Sequence, residues 1–138
     1  MNPPAGFGFA AGPVLVQPDG KILLGGTASE IAYSSDIFQT VLARYNANGT
    51  PDTSFGSGGS IQVTASQGVS AMALLLSGDI VTVNAGDGNV VEITPAGAQN
   101  GVVNTGFGSG SLFGLAITPD NKGVYFVNDG NNSLQLLH

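Results

Sequence analysis

The chain has no cysteine, three basic residues and one histidine among its 138 residues, and each shortage excludes a class of function. Without thiols there are no disulfides, no thiolate nucleophile and no sulfur-ligated metal. That absence does not fix the redox compartment. Lys21, Arg44 and Lys122 are the whole basic complement, set against nine acidic residues for a formal net charge of −6. Proteins that displace counterions from a nucleic-acid backbone need a basic stripe, and attraction to an anionic membrane surface needs a polybasic patch. Neither nucleic acid nor membrane is therefore an expected partner. No apolar run approaches the roughly 20 residues of a membrane-spanning helix. The opening MNPPAGFGFAAGP has no basic start and no long apolar core, so it does not read as an intact signal peptide. His138, the sole histidine, is the last residue and poorly placed to be held in a Ser-His-Asp arrangement.

What is present points to β structure. Hydrophobic residues make up 42% and charged ones 9%, which is outside the composition of disordered chains. The length suits one domain with a single core, and 22 glycines promise many turns. In VLVQPDGKILLGG, residues 14–26, Pro18-Asp19-Gly20 suits a type I turn closed by glycine in the left-handed region, so the flanking apolar runs read as a hairpin. The pattern returns as ALLLSGDIVTV at residues 73–83 and as LAITPDNKGVYFV at residues 115–127. Asp87-Gly88-Asn89 and Asp129-Gly130-Asn131 then lead into further strands, whereas the first copy has a longer polar loop at residues 27–36. Two glycine-rich connectors, Phe55-Gly56-Ser57-Gly58-Gly59 and Phe107-Gly108-Ser109-Gly110-Ser111, read as turns between repeats whose phenylalanines anchor them to the core; Phe7-Gly8-Phe9 reads as a worn third copy. Groups of three or four short strands at this spacing have the form of propeller blades. Helix finds little support, because glycine, β-branched residues and turn dipeptides interrupt every window. The one ambiguous stretch, residues 67–76, aligns with strands of the other copies.

Residues 14–59, with the opening QPDGKIL, the middle LARYNANGTPD and the closing SFGSGG, resemble one unit of the delta-sixty tandem-repeat family of bacterial secreted and surface proteins. The other two units are degenerate: residues 74–79 keep only the glycine turn, and residues 115–137 are closer to the general pattern of six-bladed propeller repeats. The resemblance implies propeller blades and no established catalytic activity.

The expected fold is therefore all-β: one repeat domain over residues 1–138, built from about three four-stranded antiparallel blades at residues 12–59, 60–110 and 111–138. Closed propellers use about four to eight blades, so these blades make an incomplete ring. Its apolar faces and strand edges need cover. A homo-oligomer is the favoured expectation, a dimer of two three-bladed chains above others, with residues 4–12 of one copy completing the last blade of its neighbour. The alternatives are a piece of a longer propeller, or a filament in which each final blade accepts the next chain's first strand.

No constellation of residues demands catalysis. Asp19, Asp79 and Asp120 recur at the first hairpin turn and read as turn caps; the sharper reading is a carboxylate ring holding a cation. Asp87 and Asp129 lack the ligand density of calcium loops. The glycine-rich connectors lead into strands, where a phosphate cradle needs a following helix. Glu30 and Glu92 are the only glutamates; Glu92 and Arg44 occupy comparable strand positions, where solvent exposure explains each more simply than a cross-blade pair. The expectation is a non-catalytic structural or binding scaffold, without cofactor and in an extracellular or cell-surface setting. Its rival is a lactonase-like propeller enzyme with a channel metal. Tyr33, Asp36 and Phe38, in the long first-copy loop, are the candidate contacts for a carbohydrate or protein ligand. Asn48-Gly49-Thr50 and Asn131-Asn132-Ser133 fit the glycosylation triplet but are also ordinary turn sequences.

Overall fold

A computed structural model describes residues 7–32, 35–64 and 68–138, with the backbone alone for residues 7–9, 29–32 and 35–38. All regular structure among the described residues is β, eleven strands in three antiparallel sheets. The first sheet comprises β1 (Phe7–Val16), β2 (Ile22–Ala32), β3 (Ser35–Tyr45) and β4 (Ser60–Val63). The second comprises β5 (Val69–Leu74), β6 (Ile80–Asn84), β7 (Asn89–Ile93) and β8 (Gln99–Asn104), and the third β9 (Leu112–Ile117), β10 (Val124–Asn128) and β11 (Ser133–Leu137). In every sheet, strands adjacent in sequence are adjacent in space, the meander of a propeller blade. The sheets stack face to face without closing a ring, so the architecture is an open, partial propeller.

The turns expected from the sequence form as their chemistry requires. Gly20 donates its N–H to the Gln17 carbonyl and Gln17 donates to Lys21, closing the first hairpin with Gly20 at φ +83°. The same pair of bonds recurs at residues 46–50, 75–79 and 94–98, each with glycine in the left-handed region. In the third sheet the turn is one residue longer, and Asn121, at φ +57°, takes that position. Asparagine tolerates this conformation better than other residues bearing a Cβ.

Register relates the three sheets residue by residue. The pairs Leu15↔Leu23, Ala73↔Val81 and Ala116↔Tyr125 are equivalent, as are Val16↔Ile22, Leu74↔Ile80 and Ile117↔Val124. Because side chains alternate between faces along a strand, each sheet has one face toward the sheet before it and one toward the sheet after. Leu23 and Leu42 of the first sheet pack with Ile80, Val91 and Ile93 of the second, and Phe55 joins them. On the opposite face of the second sheet, Val81, Val83 and Val90 pack with Leu112, Val124 and Phe126 of the third. The middle of the second sheet is covered on both sides, and for that reason β6, Ile80–Asn84, is buried at every residue, the polar Thr82 and Asn84 included.

β5 lies against both β1 and β9, so the first strand of each sheet sits at the inner edge of the stack. All three are interrupted at the same place: between Ala11 and Val14, between Val69 and Ala71, and opposite the Phe126/Val127 step, where Gly114 is the extra residue at φ +64°. Bulges increase local twist. Ser70 Oγ, at the second bulge, lies 3.0 Å from the Val83 carbonyl and 2.7 Å from the Leu112 carbonyl, tying the second sheet to the third.

Four expectations from the sequence are corrected. The polar stretch at residues 27–36 is not a loop: β2 and β3 remain paired out to Ala32↔Ser35, because a ladder is made by backbone groups and tolerates polar side chains. The expected boundary after Gly59 falls inside the first sheet, where β4 pairs with β3 from Ala43↔Ser60 to Thr40↔Val63. Phe55-Gly56-Ser57-Gly58-Gly59 consequently links β3 to β4 within one sheet and does not separate two. Finally, residues 7–11 pair with Gly26–Glu30 partners in their own sheet, so that part of the N-terminal segment is already engaged; residues 4–6 lie outside the described residues.

Hydrogen exchange followed residue by residue tests the sandwiching of the second sheet. The β6 amides are expected to exchange slowest, near the global unfolding limit, and those of the largely exposed β8 much faster. Equal protection along both strands would contradict the stack.

Candidate functional site

The three ligand-contact candidates are not brought into a described site. Tyr33 lies outside the described residues. Asp36 and Phe38 lie on β3, their backbones opposite Ile31 and Ser29, and their side chains are not among those described.

The polar centre that is resolved surrounds Arg44, which is buried at 5% exposure on the face of the first sheet toward the second. Its Nε donates to Asp52 Oδ2 at 2.7 Å, Nη1 to the Pro95 carbonyl at 2.6 Å and Nη2 to Ser54 Oγ at 3.3 Å. The guanidinium carbon lies 4.7 Å from the centroid of the Phe55 ring, a cation–π contact. Lys21 reaches the same Asp52 Oδ2 at 3.0 Å, and Ser54 donates its hydroxyl to Asp52 Oδ1 at 2.6 Å. Local folding puts these groups together: Asn46-Ala47-Asn48-Gly49 turns the chain so that Asp52 donates its N–H to the Arg44 carbonyl. A buried ion pair is tolerable when its remaining donors and acceptors are satisfied, and here the guanidinium bonds through Nε and both Nη atoms while both carboxylate oxygens accept.

This cluster clamps two sheets together. Pro95 belongs to the turn between β7 and β8, and the neighbouring Ala96 carbonyl accepts from the Gly56 N–H at 2.8 Å. A Cβ on Gly97 would stand 2.8 Å from the Gly56 nitrogen, so glycine is required at that approach. The sequence reading that made Arg44 and Glu92 solvent-facing is corrected for Arg44. Opposite charges on either side of a turn, in LARYNANGTPD, were the signal for its pairing with Asp52.

The register gives Arg44 a counterpart in the second sheet. Leu23↔Arg44 and Val81↔Glu92 are equivalent pairs, so Glu92 faces the third sheet as Arg44 faces the second. The eighth residue onward is again a partner: Asn100 Nδ2 donates to Glu92 Oε1 at 3.0 Å. Where Phe55 fills the first junction, the second holds a cavity of about 230 Å3. Its walls include Leu75, Val81, Val90 and Glu92 from the second sheet and Val124 and Leu137 from the third. Phe107, from the other glycine-rich connector, packs instead on Phe126, with ring centroids 6.3 Å apart.

The recurring aspartates serve their turns. Asp19 Oδ1 accepts from the Lys21 N–H, Asp79 Oδ2 from the Ser77 hydroxyl and Asp120 Oδ1 from the Thr118 hydroxyl. The Thr118 hydroxyl and the Lys122 backbone N–H hold the Asp120 carboxyl below its ordinary range. Among the described residues, no three His, Asp or Glu side chains converge as a metal site would require.

Two measurements probe the clamp. Phe55→Ala empties a fully buried ring position and is expected to cost about 3–5 kcal/mol in denaturant unfolding. The Ser54 hydroxyl first, then Lys21, with Arg44 contributing, hold the Asp52 carboxyl well below the usual range. The folded-state value is thus lower than the unfolded one, so the stabilisation is complete above the unfolded pKa of about 3.9 and drains away as pH falls below it. Unfolding midpoints are expected to drop below about pH 4 in the native protein and to fall less steeply in Asp52→Asn; identical slopes would show that Asp52 is not linked to folding.

Residues 17–55 match a family described as a domain of unknown function (DUF5122) beta-propeller. No curated protein and no solved structure matches the chain. The matched span contains Lys21, Arg44, Asp52, Ser54 and Phe55, the side chains with which the first sheet makes its clamp. The first sheet is thus similar to a propeller repeat, and the fold built upon it is a partial propeller.

Proposed function

We propose that the protein is a non-catalytic scaffold, a half-ring of propeller blades that a second copy completes. The carrying observation is the pair of bare faces at the two ends of the stack. On the first sheet, Val14 and Val16 are 61% and 66% exposed, and Ile22, Leu24 and Tyr45 lie on the same face. On the third, Leu134 is 67% exposed beside Phe113, Val127 and Leu136. Register relates these two faces to the two that meet inside the stack, which supports the reading. Val14, Val16, Ile22 and Leu24 are the equivalents of Met72, Leu74, Ile80 and Thr82, the face the second sheet presents to the first. Leu136 and Tyr125 are the equivalents of Glu92 and Val81, the face the second sheet presents to the third.

Seating the third sheet of each copy on the first sheet of the other repeats the internal junction twice and closes a six-bladed ring with two-fold symmetry. Contiguous exposed apolar area of this kind favours association. In this reading the chain is a unit-bearing member of the delta-sixty tandem-repeat family, working outside the cell or at its surface. Tyr33, Asp36 and Phe38 are its contact residues for carbohydrate or protein, since binding residues commonly gather on connecting segments carried by a rigid frame.

Size exclusion with multi-angle light scattering tests the pairing. The expected mass is twice the 13.8 kDa of the chain, reduced to the single-chain mass by Val16→Lys or Leu134→Lys. A monodisperse single-chain mass, or an open polymer, would overturn the closed pair.

A further inference from the structure

The cavity between the second and third sheets occupies the position that an aromatic ring fills between the first and second. Leu23 and Leu42 share a core cluster with Phe55, and Arg44 lies over its ring; their equivalents by strand register are Val81, Val90 and Glu92, and all three line the cavity. Across the junction, Ile80 and Ile93 of the first site correspond to Val124 and Leu137 of the second, which complete the apolar walls. Among the described residues, Phe55 fills this position at the first junction, whereas at the second Phe107 packs on Phe126 and the position beside Glu92 is open.

Size and polarity define what the open slot takes. An apolar cavity of roughly 150 Å3 suffices for benzene, so 230 Å3 accommodates a six-membered ring and a short substituent. The charge at the slot is reversed relative to the first. Arg44 lies over the face of Phe55, where the ring quadrupole attracts a cation; a carboxylate in the same position is repelled by a ring face and favours a positive group on the ligand. Glu92 spends Oε1 on Asn100, which orients the carboxylate. Lys122 and His138 stand on the other wall, both exposed to solvent.

We propose that this slot is a binding site for small aryl-ammonium compounds, with the ring between Val81, Val90, Val124 and Leu137 and the ammonium group on Glu92. The site is independent of the bare end faces, so it stands or falls apart from the pairing of copies.

Backbone amide shifts in NMR titrations read the site directly, with phenethylammonium and phenylacetate as a pair of probes of equal ring and opposite charge. Phenethylammonium is expected to give saturable shifts at Val90, Gly101, Val103 and Val124 in the millimolar range, with phenylacetate at least ten-fold weaker. Glu92→Gln is expected to erase the difference between the probes. Gly101→Phe fills the slot from a position where an added Cβ meets nothing within 4 Å and is expected to abolish binding of both; Val103→Phe does the same from a partly exposed strand position, should the first variant fail to fold. Absence of saturable shifts, equal binding of the two probes by the native chain, or binding that survives a folded slot-filling variant would each overturn the assignment.

Discussion

A sheet that is apolar on both faces has to be covered on both faces, and the rest of this structure follows from that requirement. Burying one leucine-sized side chain is worth about 1.5–3 kcal/mol, and each junction gathers a cluster of them: Leu23, Leu42, Ile80, Val91 and Ile93 on one side of the second sheet, Val81, Val83, Val90, Val124 and Phe126 on the other. The stack buries the middle strands of the second sheet, β6 and β7, on both faces. It leaves the first and third each with one face of valine, leucine and aromatic residues toward solvent. By register those two faces are equivalent to the faces that meet inside the stack, with different side chains upon them.

The two internal junctions solve one geometric problem with opposite chemistry. At the first, a buried guanidinium bonds to an aspartate, a serine and a carbonyl of the neighbouring sheet and rests on a phenylalanine. At the second, a glutamate bonded to an asparagine stands beside an unfilled slot. The difference arises in how the chain leaves the third strand. In the first sheet it runs through the glycine-rich connector that carries Phe55 before returning as β4; in the second it turns at Thr94-Pro95-Ala96-Gly97-Ala98 and re-enters as β8 at once, so that its connector phenylalanine, Phe107, comes only after β8 and packs on Phe126.

Much of the fold was legible along the chain because it is written in local chemistry. Alternation of apolar residues, glycine at the left-handed turn position and the recurrence of the hairpin pattern specify strands and turns through interactions a few residues apart. The extension of β2 and β3 through residues 27–32 and 35–40 was hidden, since Thr27, Ser29 and Gln39 pair through their backbones while looking like loop residues. The membership of β4 was hidden for a different reason: Ser60–Val63 is an ordinary strand sequence, and only pairing with Thr40–Ala43 assigns it to the first sheet.

The sequence by itself determined an all-β chain of repeated hairpins, low in basic charge and free of thiol chemistry, because composition and turn geometry act residue by residue. Only the tertiary structure decided that Arg44 turns inward to grip the next sheet, that Glu92 takes its place one repeat later, and that a ring-sized space opens beside it. Those outcomes depend on which face of a strand meets which neighbour. Register sets that choice, and a shift of a single residue would reverse it.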